Sequence, residues 1–337
     1  MPNEILTEAI ERLSNRVDLE PSDASRVLTE IIEGNASEAQ AAAFLIALRA
    51  KGETVGEIAG LAATLRERAV RVDAGDGLVD TAGTGGGRPT FNVSTTAAFI
   101  AAGAGCRVAK HGNRSATSQC GSADVLEALG GRIDVDVEVV EACIREIGFG
   151  FMFAPIHHPA FKHIVPVRKE LGVRTVFNFL GPLTNPAGAT RQVIGVSDPG
   201  KLETMAAALG RLGTERALVV SSADGLDEFS VSGPTRVVEL RDGGLSTYDV
   251  TPDEVDLEPV ADGAVGAGTP EQNALVLREV LAGSPGTERS LAVLNGGAAI
   301  YVAGGAETLA EGVRAAERSV DSGAAAGVLE RWVEATA

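Results

Sequence analysis

Leu78-Val79-Asp80-Thr81-Ala82-Gly83-Thr84-Gly85-Gly86-Gly87, followed after Arg88-Pro89-Thr90-Phe91 by Asn92-Val93-Ser94-Thr95, is the stretch that decides the fold. Residues 78–82 form a short apolar run typical of a buried strand, and a helical pattern runs from Thr95 to Ala104. Strand, glycine loop and helix in that order make an α/β unit. The alternation recurs downstream: 193–197 and 217–221 read as buried strands, and 124–129, 137–147 and 202–212 as helices. Around Asp242-Gly243-Gly244, the runs 236–240 and 245–250 read as a hairpin. Thr269-Pro270-x-Gln272 opens a further helix with proline at its first position, and the rest of the chain reads as helices separated by glycine.

Upstream of residue 70 the texture is purely helical. Ser37-x-x-Gln40 and Thr54-x-x-Glu57 are capping boxes before apolar runs, and Gly34-Asn35 and Lys51-Gly52 supply the stops. The expected architecture is a small all-helical domain beside a large α/β domain with a central mixed or mostly parallel sheet. A chain of 337 residues is long enough for both. It has no apolar run long enough to span a bilayer, and Met1-Pro2-Asn3-Glu4 lacks the start of a leader, so a soluble cytoplasmic protein is expected. Cys106, Cys120 and Cys143 form no CxxC pair, which fits a reducing compartment. A net charge of −17 argues against nucleic acid and anionic membranes as partners. With only five lysines, the chain suits a high-salt habitat.

Acids make up 46 of the 337 residues, yet none lies between Asp80 and Asp124, a stretch carrying Arg88, Arg107, Lys110 and Arg114. A buried core also lacks charges, but the four bases favour an anion site. Within the stretch, the Gly83–Gly87 turn can aim successive N–H groups at one point, and the following helix start adds further N–H groups and its dipole. The loop is neither a Walker sequence nor a GxGxxG fingerprint. Lys110-His111-Gly112-Asn113-Arg114-Ser115-Ala116-Thr117-Ser118 reads as a second loop able to wrap a diphosphate. The four histidines show no zinc spacing, and no serine sits in a nucleophile elbow.

These runs resemble the anthranilate phosphoribosyltransferases. The resemblance is carried by Gly83-Thr84-Gly85-Gly86, Asn92-Val93-Ser94-Thr95, Lys110-His111-Gly112-Asn113-Arg114 and Gly121-Ser122-Ala123-Asp124-Val125-Leu126-Glu127-Ala128-Leu129-Gly130. Further blocks are His158-Pro159-Ala160, Pro166-Val167-Arg168-x-Glu170-Leu171-Gly172-x-Arg174-Thr175 and Phe177-Asn178-x-Leu180-Gly181-Pro182-Leu183-x-Asn185-Pro186. The resemblance implies a nucleoside-phosphorylase-like fold, with residues 1–72 and 168–187 as the helical domain and 73–167 and 188–337 as the α/β domain. It implies transfer of the phosphoribosyl group of 5-phosphoribosyl 1-diphosphate to the amine of anthranilate, in tryptophan biosynthesis, by a homodimer.

By the same resemblance the donor would be bound by Gly83, Gly86, Gly87, Thr90, Asn92, Ser94, Thr95, Lys110, His111, Gly112, Asn113, Arg114, Ser115, Ala116, Thr117, Ser118 and Ser122. Ser94, Asp227 and Glu228 would hold Mg2+, two ions per subunit. Arg168 would take the anthranilate carboxylate, Asn113 would lie near its ring or amine, Gly83 would line the same pocket and His158 its entry path. Lys110, Asn113 and Arg168 are the expected catalytic residues. One departure stands out: Gly87 occupies a position where the family commonly has Asp. A pyrimidine nucleoside phosphorylase and a non-catalytic nucleic-acid-binding relative of the same fold are the alternatives, the second disfavoured by the acidic charge.

Overall fold

The computed structural model describes residues 1–115 and 119–337, and the expected Ala116, Thr117 and Ser118 contacts lie outside them. Four helices come first: α1 (Glu4–Ser14), α2 (Pro21–Ile32), α3 (Glu38–Lys51) and α4 (Val55–Glu67). Then follow β1 (Leu78–Gly83), α5 (Val93–Gly103), β2 (Arg107–Gly112), α6 (Ser122–Ala128), α7 (Val137–Ala142) and β3 (Phe149–Phe153). Short helices α8 (Ala154–His157), α9 (Val165–Leu171) and α10 (Phe177–Leu180) lead to β4 (Arg191–Gly195), α11 (Leu202–Arg211) and β5 (Arg216–Ser222). The chain closes with β6 (Thr235–Arg241), β7 (Gly244–Val250), α12 (Pro270–Leu281), α13 (Thr287–Ala303), α14 (Leu309–Asp321) and α15 (Ala324–Thr336).

The strands form one sheet in the order β3-β2-β1-β4-β5-β6-β7. The first five are mutually parallel, and β6 and β7 are antiparallel additions at one edge. Asp242 and Gly243, at φ 50 and 78, turn the β6–β7 hairpin as two consecutive left-handed residues do. Alternation along the central strands sends Val193, Leu218, Val220 and Val237 to one face and Ile194, Val219, Val238 and Leu240 to the other. The first face packs with α5 and α12–α15, where Phe99, Phe149 and Trp332 stack; the ring centroids of Phe99 and Phe149 are 4.2 Å apart. The second face shares a core with α1–α4, α11 and the segment holding Ile164, Val167, Phe177 and Leu180. Both faces of a parallel sheet are thereby covered.

Three expectations need correction. Residues 110–112 are the end of strand β2, so the turn begins at Asn113 rather than Lys110. The helix at 137–147 changes to a π-helical turn over Cys143–Ile147. Ser37 caps the Gln40 N–H, but Gln40 turns its side chain to the backbone of Asn3 instead of back to Ser37, so only half of that box exists.

Candidate active site

The sheet order reverses at β1, whose neighbours are β2 on one side and β4 on the other, and the crevice outside the carboxyl ends of such strands is where ligands bind in this architecture. Gly83 ends β1 opposite Gly195 at the end of β4. Helix α5 begins at the same rim.

Gly85 and Gly86, at φ 66 and 81, give the glycine loop a conformation closed to most side chains. Ser197 Oγ donates to the Gly85 carbonyl at 2.9 Å, and its N–H donates to Thr84 Oγ1 at 3.2 Å. Asp227, on the loop after β5, accepts the Gly85 N–H at 2.8 Å. A side chain at Gly83 would place its Cβ 2.6 Å from that carboxylate, and one at Gly195 would overlap the Asp227 carbonyl. Position 87 is similar: a Cβ there would lie 2.8 Å from the Gly225 carbonyl and 3.0 Å from the Asp227 N–H. In this chain the 224–228 loop fills the space an aspartate would need.

Under the glycine loop lies a buried charge network. Lys110 donates to the Thr81 carbonyl at 2.5 Å and to Ser94 Oγ at 3.3 Å. Its burial lowers the ammonium pKa, and the charges of Asp80 and Glu228 work against that. Glu228 is held by the Ser94 N–H, and burial followed by the charge of Asp227 pushes its carboxyl well above the ordinary range. Asp227 is raised by burial, with the Gly85 N–H opposing. Asp80 binds the Asn185 amide at 2.8 Å and the His111 N–H at 3.2 Å. Two adjacent carboxylates and a serine hydroxyl are hard oxygen donors, and a divalent cation would relieve the repulsion that raises Glu228; the residues fit Mg2+, which keeps waters and takes phosphate oxygens.

Beside this network runs a row of rings that starts at His111, the residue after Lys110 in β2. His111 and His158 have centroids 5.0 Å apart, His158 and Phe161 5.4 Å, Phe161 and Phe177 5.7 Å, and the Arg168 guanidinium carbon sits 5.5 Å from the Phe177 centroid. Both His111 and His158 are buried, and their Nε2 atoms have no protein partner among the described residues. His158 is buried within this row. The row joins Arg168 to His111, two positions before Asn113.

Other expected site residues are spread around this crevice. Asn92 accepts the Asn273 amide at 2.9 Å and the Cys120 thiol at 3.2 Å, Thr90 caps its neighbour's carbonyl, and Thr95 Oγ1 is buried with no partner among the described residues. Asn113 turns its side chain to the Arg114 N–H at 2.7 Å, and its carbonyl accepts the Ser122 hydroxyl at 3.3 Å. Gly112 leaves no room for a side chain beside the Phe151 ring, 2.7 Å from where a Cβ would be. Two expected anion binders are otherwise engaged. Arg114 bonds Asp124 at 2.8 Å and Glu127 at 2.5 Å, with the Ser115 N–H on the same aspartate, and Arg88 bonds Asp224 at 2.7 Å. The acid-free stretch is therefore met by acids from elsewhere in the chain. Gly195, Ser197 and Arg174 belong to the crevice without having been given a role from the sequence; Arg174 stands in a quoted block, and the trace of the first two is a Gly-x-Ser directly after an apolar run.

Comparison with known proteins defines the class first. Residues 7–69 match the glycosyl transferase family helical bundle domain, and residues 75–326 match the glycosyl transferase family α/β domain. An anthranilate phosphoribosyltransferase from Rubrobacter xylanophilus is 53% identical over 98% of this chain and 97% of its own length. The crystal structure of the anthranilate phosphoribosyltransferase from Thermus thermophilus superposes with a TM-score of 0.92 at 45% identity, covering 97% of this chain and 99% of that one. A Saccharomyces cerevisiae anthranilate phosphoribosyltransferase, solved in complex with PRPP and Mg, superposes with a TM-score of 0.88 at 28% identity over 98% of this chain and 97% of that one. The chain belongs to the anthranilate phosphoribosyltransferase family. No helix among the described residues is long and apolar enough to cross a membrane.

Proposed function

We propose that this protein transfers the phosphoribosyl group of 5-phosphoribosyl 1-diphosphate to the amine of anthranilate, releasing diphosphate, as a step of tryptophan biosynthesis. The observation that carries the reading is the pairing of two unlike walls in one crevice. One wall is a glycine loop with carboxylate and hydroxyl oxygens; the other is a row of rings ending in a guanidinium. The first suits a metal-bound diphosphate and the second a flat aromatic acid.

In this reading Ser94, Asp227 and Glu228 hold Mg2+, two ions per subunit in turnover, which supplies positive charge to the departing diphosphate. The glycine loop and the start of α5 orient the donor's oxygens through backbone N–H groups. Asn92, Thr90 and Ser122 shape the ribose and phosphate side, and Asn113, whose carbonyl accepts the Ser122 hydroxyl, borders it. Lys110, whose three N–H donors already face Thr81 and Ser94, fixes the Ser94 hydroxyl and lends its field rather than a direct contact. Arg168 grips the acceptor's carboxylate, the rings align its plane, and Asn113 orients the amine toward the anomeric carbon. The aryl amine is already neutral near pH 7, so positioning and charge neutralisation suffice without a strong base. Residues 1–72 with 168–187 act as the helical domain and the rest as the α/β domain. The family resemblance implies a homodimer through that domain.

Loss of anthranilate fluorescence in the presence of donor and magnesium tests the reaction directly. Turnover of thymidine with phosphate, and none of anthranilate, would replace it with the phosphorylase reading.

A further inference from the structure

We infer that Arg174 binds the diphosphate of the donor, a role that rests on the reaction proposed above. Of the four bases in the acid-free stretch, Arg88 and Arg114 are ion-paired, Arg107 begins β2 at the end of the sheet away from the crevice, and Lys110 spends its donors on Thr81 and Ser94. Asp227 and Glu228 meanwhile bring negative charge to the same rim. A leaving diphosphate therefore finds no disengaged cation in the segment whose composition announced an anion site.

The segment through α9 and α10 supplies two instead. Arg168 and Arg174 form no ion pair among the described residues, and each lies over a phenylalanine, Arg168 at 5.5 Å from the Phe177 centroid and Arg174 at 6.0 Å from that of Phe179. They address different walls. Arg168 ends the ring row, whereas Arg174 Nη2 donates to the Gly85 carbonyl at 3.1 Å. Its guanidinium lies so close over Gly86 that a Cβ there would collide with it. On the opposite edge of the same peptide loop, the Gly85 N–H is held by Asp227. Lys201, ion-paired with Glu53 at 2.6 Å, also lies 5.7 Å from the Phe179 centroid. Arg174 is thus a buttressed guanidinium on the glycine loop with one of its five N–H donors engaged by protein. Its fork geometry matches two oxygens of a diphosphate.

The experiment compares Arg174→Ala, Arg174→Lys and Arg168→Ala in steady-state kinetics for both substrates, with calorimetric titration of inorganic diphosphate into each protein. Arg174→Ala should raise the donor KM and the diphosphate Kd by about tenfold or more, the loss of one charge-assisted contact, while the anthranilate KM stays within about twofold. Arg174→Lys should recover part of the loss, and Arg168→Ala should show the reverse split between substrates. An unchanged diphosphate Kd in Arg174→Ala overturns the inference, whether kcat falls, as for a mere prop of the glycine loop, or the anthranilate KM rises, as for an acceptor contact. A wild-type protein that consumes no anthranilate overturns the proposed reaction instead, and the diphosphate titration still reads Arg174 by itself.

Discussion

At position 195 the missing side chain sets the place of the carboxylates. A Cβ there would overlap the Asp227 carbonyl, so Gly195→Ala must displace the loop carrying Asp227 and Glu228. The strand that holds Gly195 is fully paired to β1 and β5, which should spare the fold. Since a shift of about 1 Å in positioned groups costs about 10²-fold in rate, kcat should fall by roughly that factor with native circular dichroism; wild-type turnover would show that the loop's position is immaterial. Arg168→Ala belongs to the same scale. Removing a half-buried guanidinium that ends the ring row should raise the anthranilate KM at least about tenfold and leave the donor KM nearly unchanged. The glycine loop and the Asp227-Glu228 pair were legible because their chemistry is consecutive in the chain. Gly195, Ser197 and Arg174 were not, because parallel strand register and a packing contact between distant segments bring them to the loop. Nor could composition reveal that Arg88 and Arg114 are already paired, since Asp224 lies far along the chain from Arg88.

Elements differ in how openly they announce themselves. The Thr54/Glu57 box is complete in the structure, and Glu57 does more than cap. Its carboxylate accepts the Thr54 N–H at 2.8 Å, the Leu19 N–H at 3.0 Å and the Lys51 ammonium at 2.9 Å, tying the start of α4 to the end of α3 and the α1–α2 turn. Lys51 keeps Asp18 and the Gly52 carbonyl, each at 2.7 Å, so Glu57→Ala chiefly leaves the Leu19 and Thr54 N–H groups without their acceptor, and should cost about 2 kcal/mol in urea unfolding. Glu57→Gln, which keeps the acceptor, should cost less; equal losses would mean that the charge carries the whole contribution and the neutral acceptor none. Strand β2 stayed hidden for a related reason. Lys110 and His111 look like loop residues, yet both are buried in β2, where the Thr81 carbonyl and Asp80 receive them. A strand satisfied by buried polar partners carries no apolar run to be recognised. The π-helical turn at Cys143–Ile147 is equally invisible, since it keeps the helical spacing of its apolar residues.

For the whole molecule, charge is the dominant variable. A net charge of −17 implies self-repulsion that salt should relieve, so the thermal midpoint should rise between about 0.1 M and about 3 M salt; equal midpoints would remove the idea of a high-salt habitat. Acid should act through the buried histidines at and beside the ring row. Burial lowers the pKa of His111 well below its ordinary value, lowers that of His157, and lowers that of His158 to about 4, with the neighbouring imidazoles adding to the effect at His111 and His158. A group whose folded pKa is depressed binds fewer protons folded than unfolded, so its contribution is intact above about pH 6.5 and is lost as pH falls toward about 4. Asp80, Asp227 and Glu228 have the opposite sign, because their raised carboxyls gain from protonation. The net stability curve therefore mixes the two, and the histidine part is best isolated by difference. Replacing His158 by Gln should flatten the loss of stability between about pH 6.5 and about pH 4 relative to the wild type, and the His158 ring-proton shift should stay at its neutral position down to about pH 5. Parallel stability curves, or an imidazole titrating at its ordinary value, would show that the ring row is open to water and not the dry wall that its geometry describes.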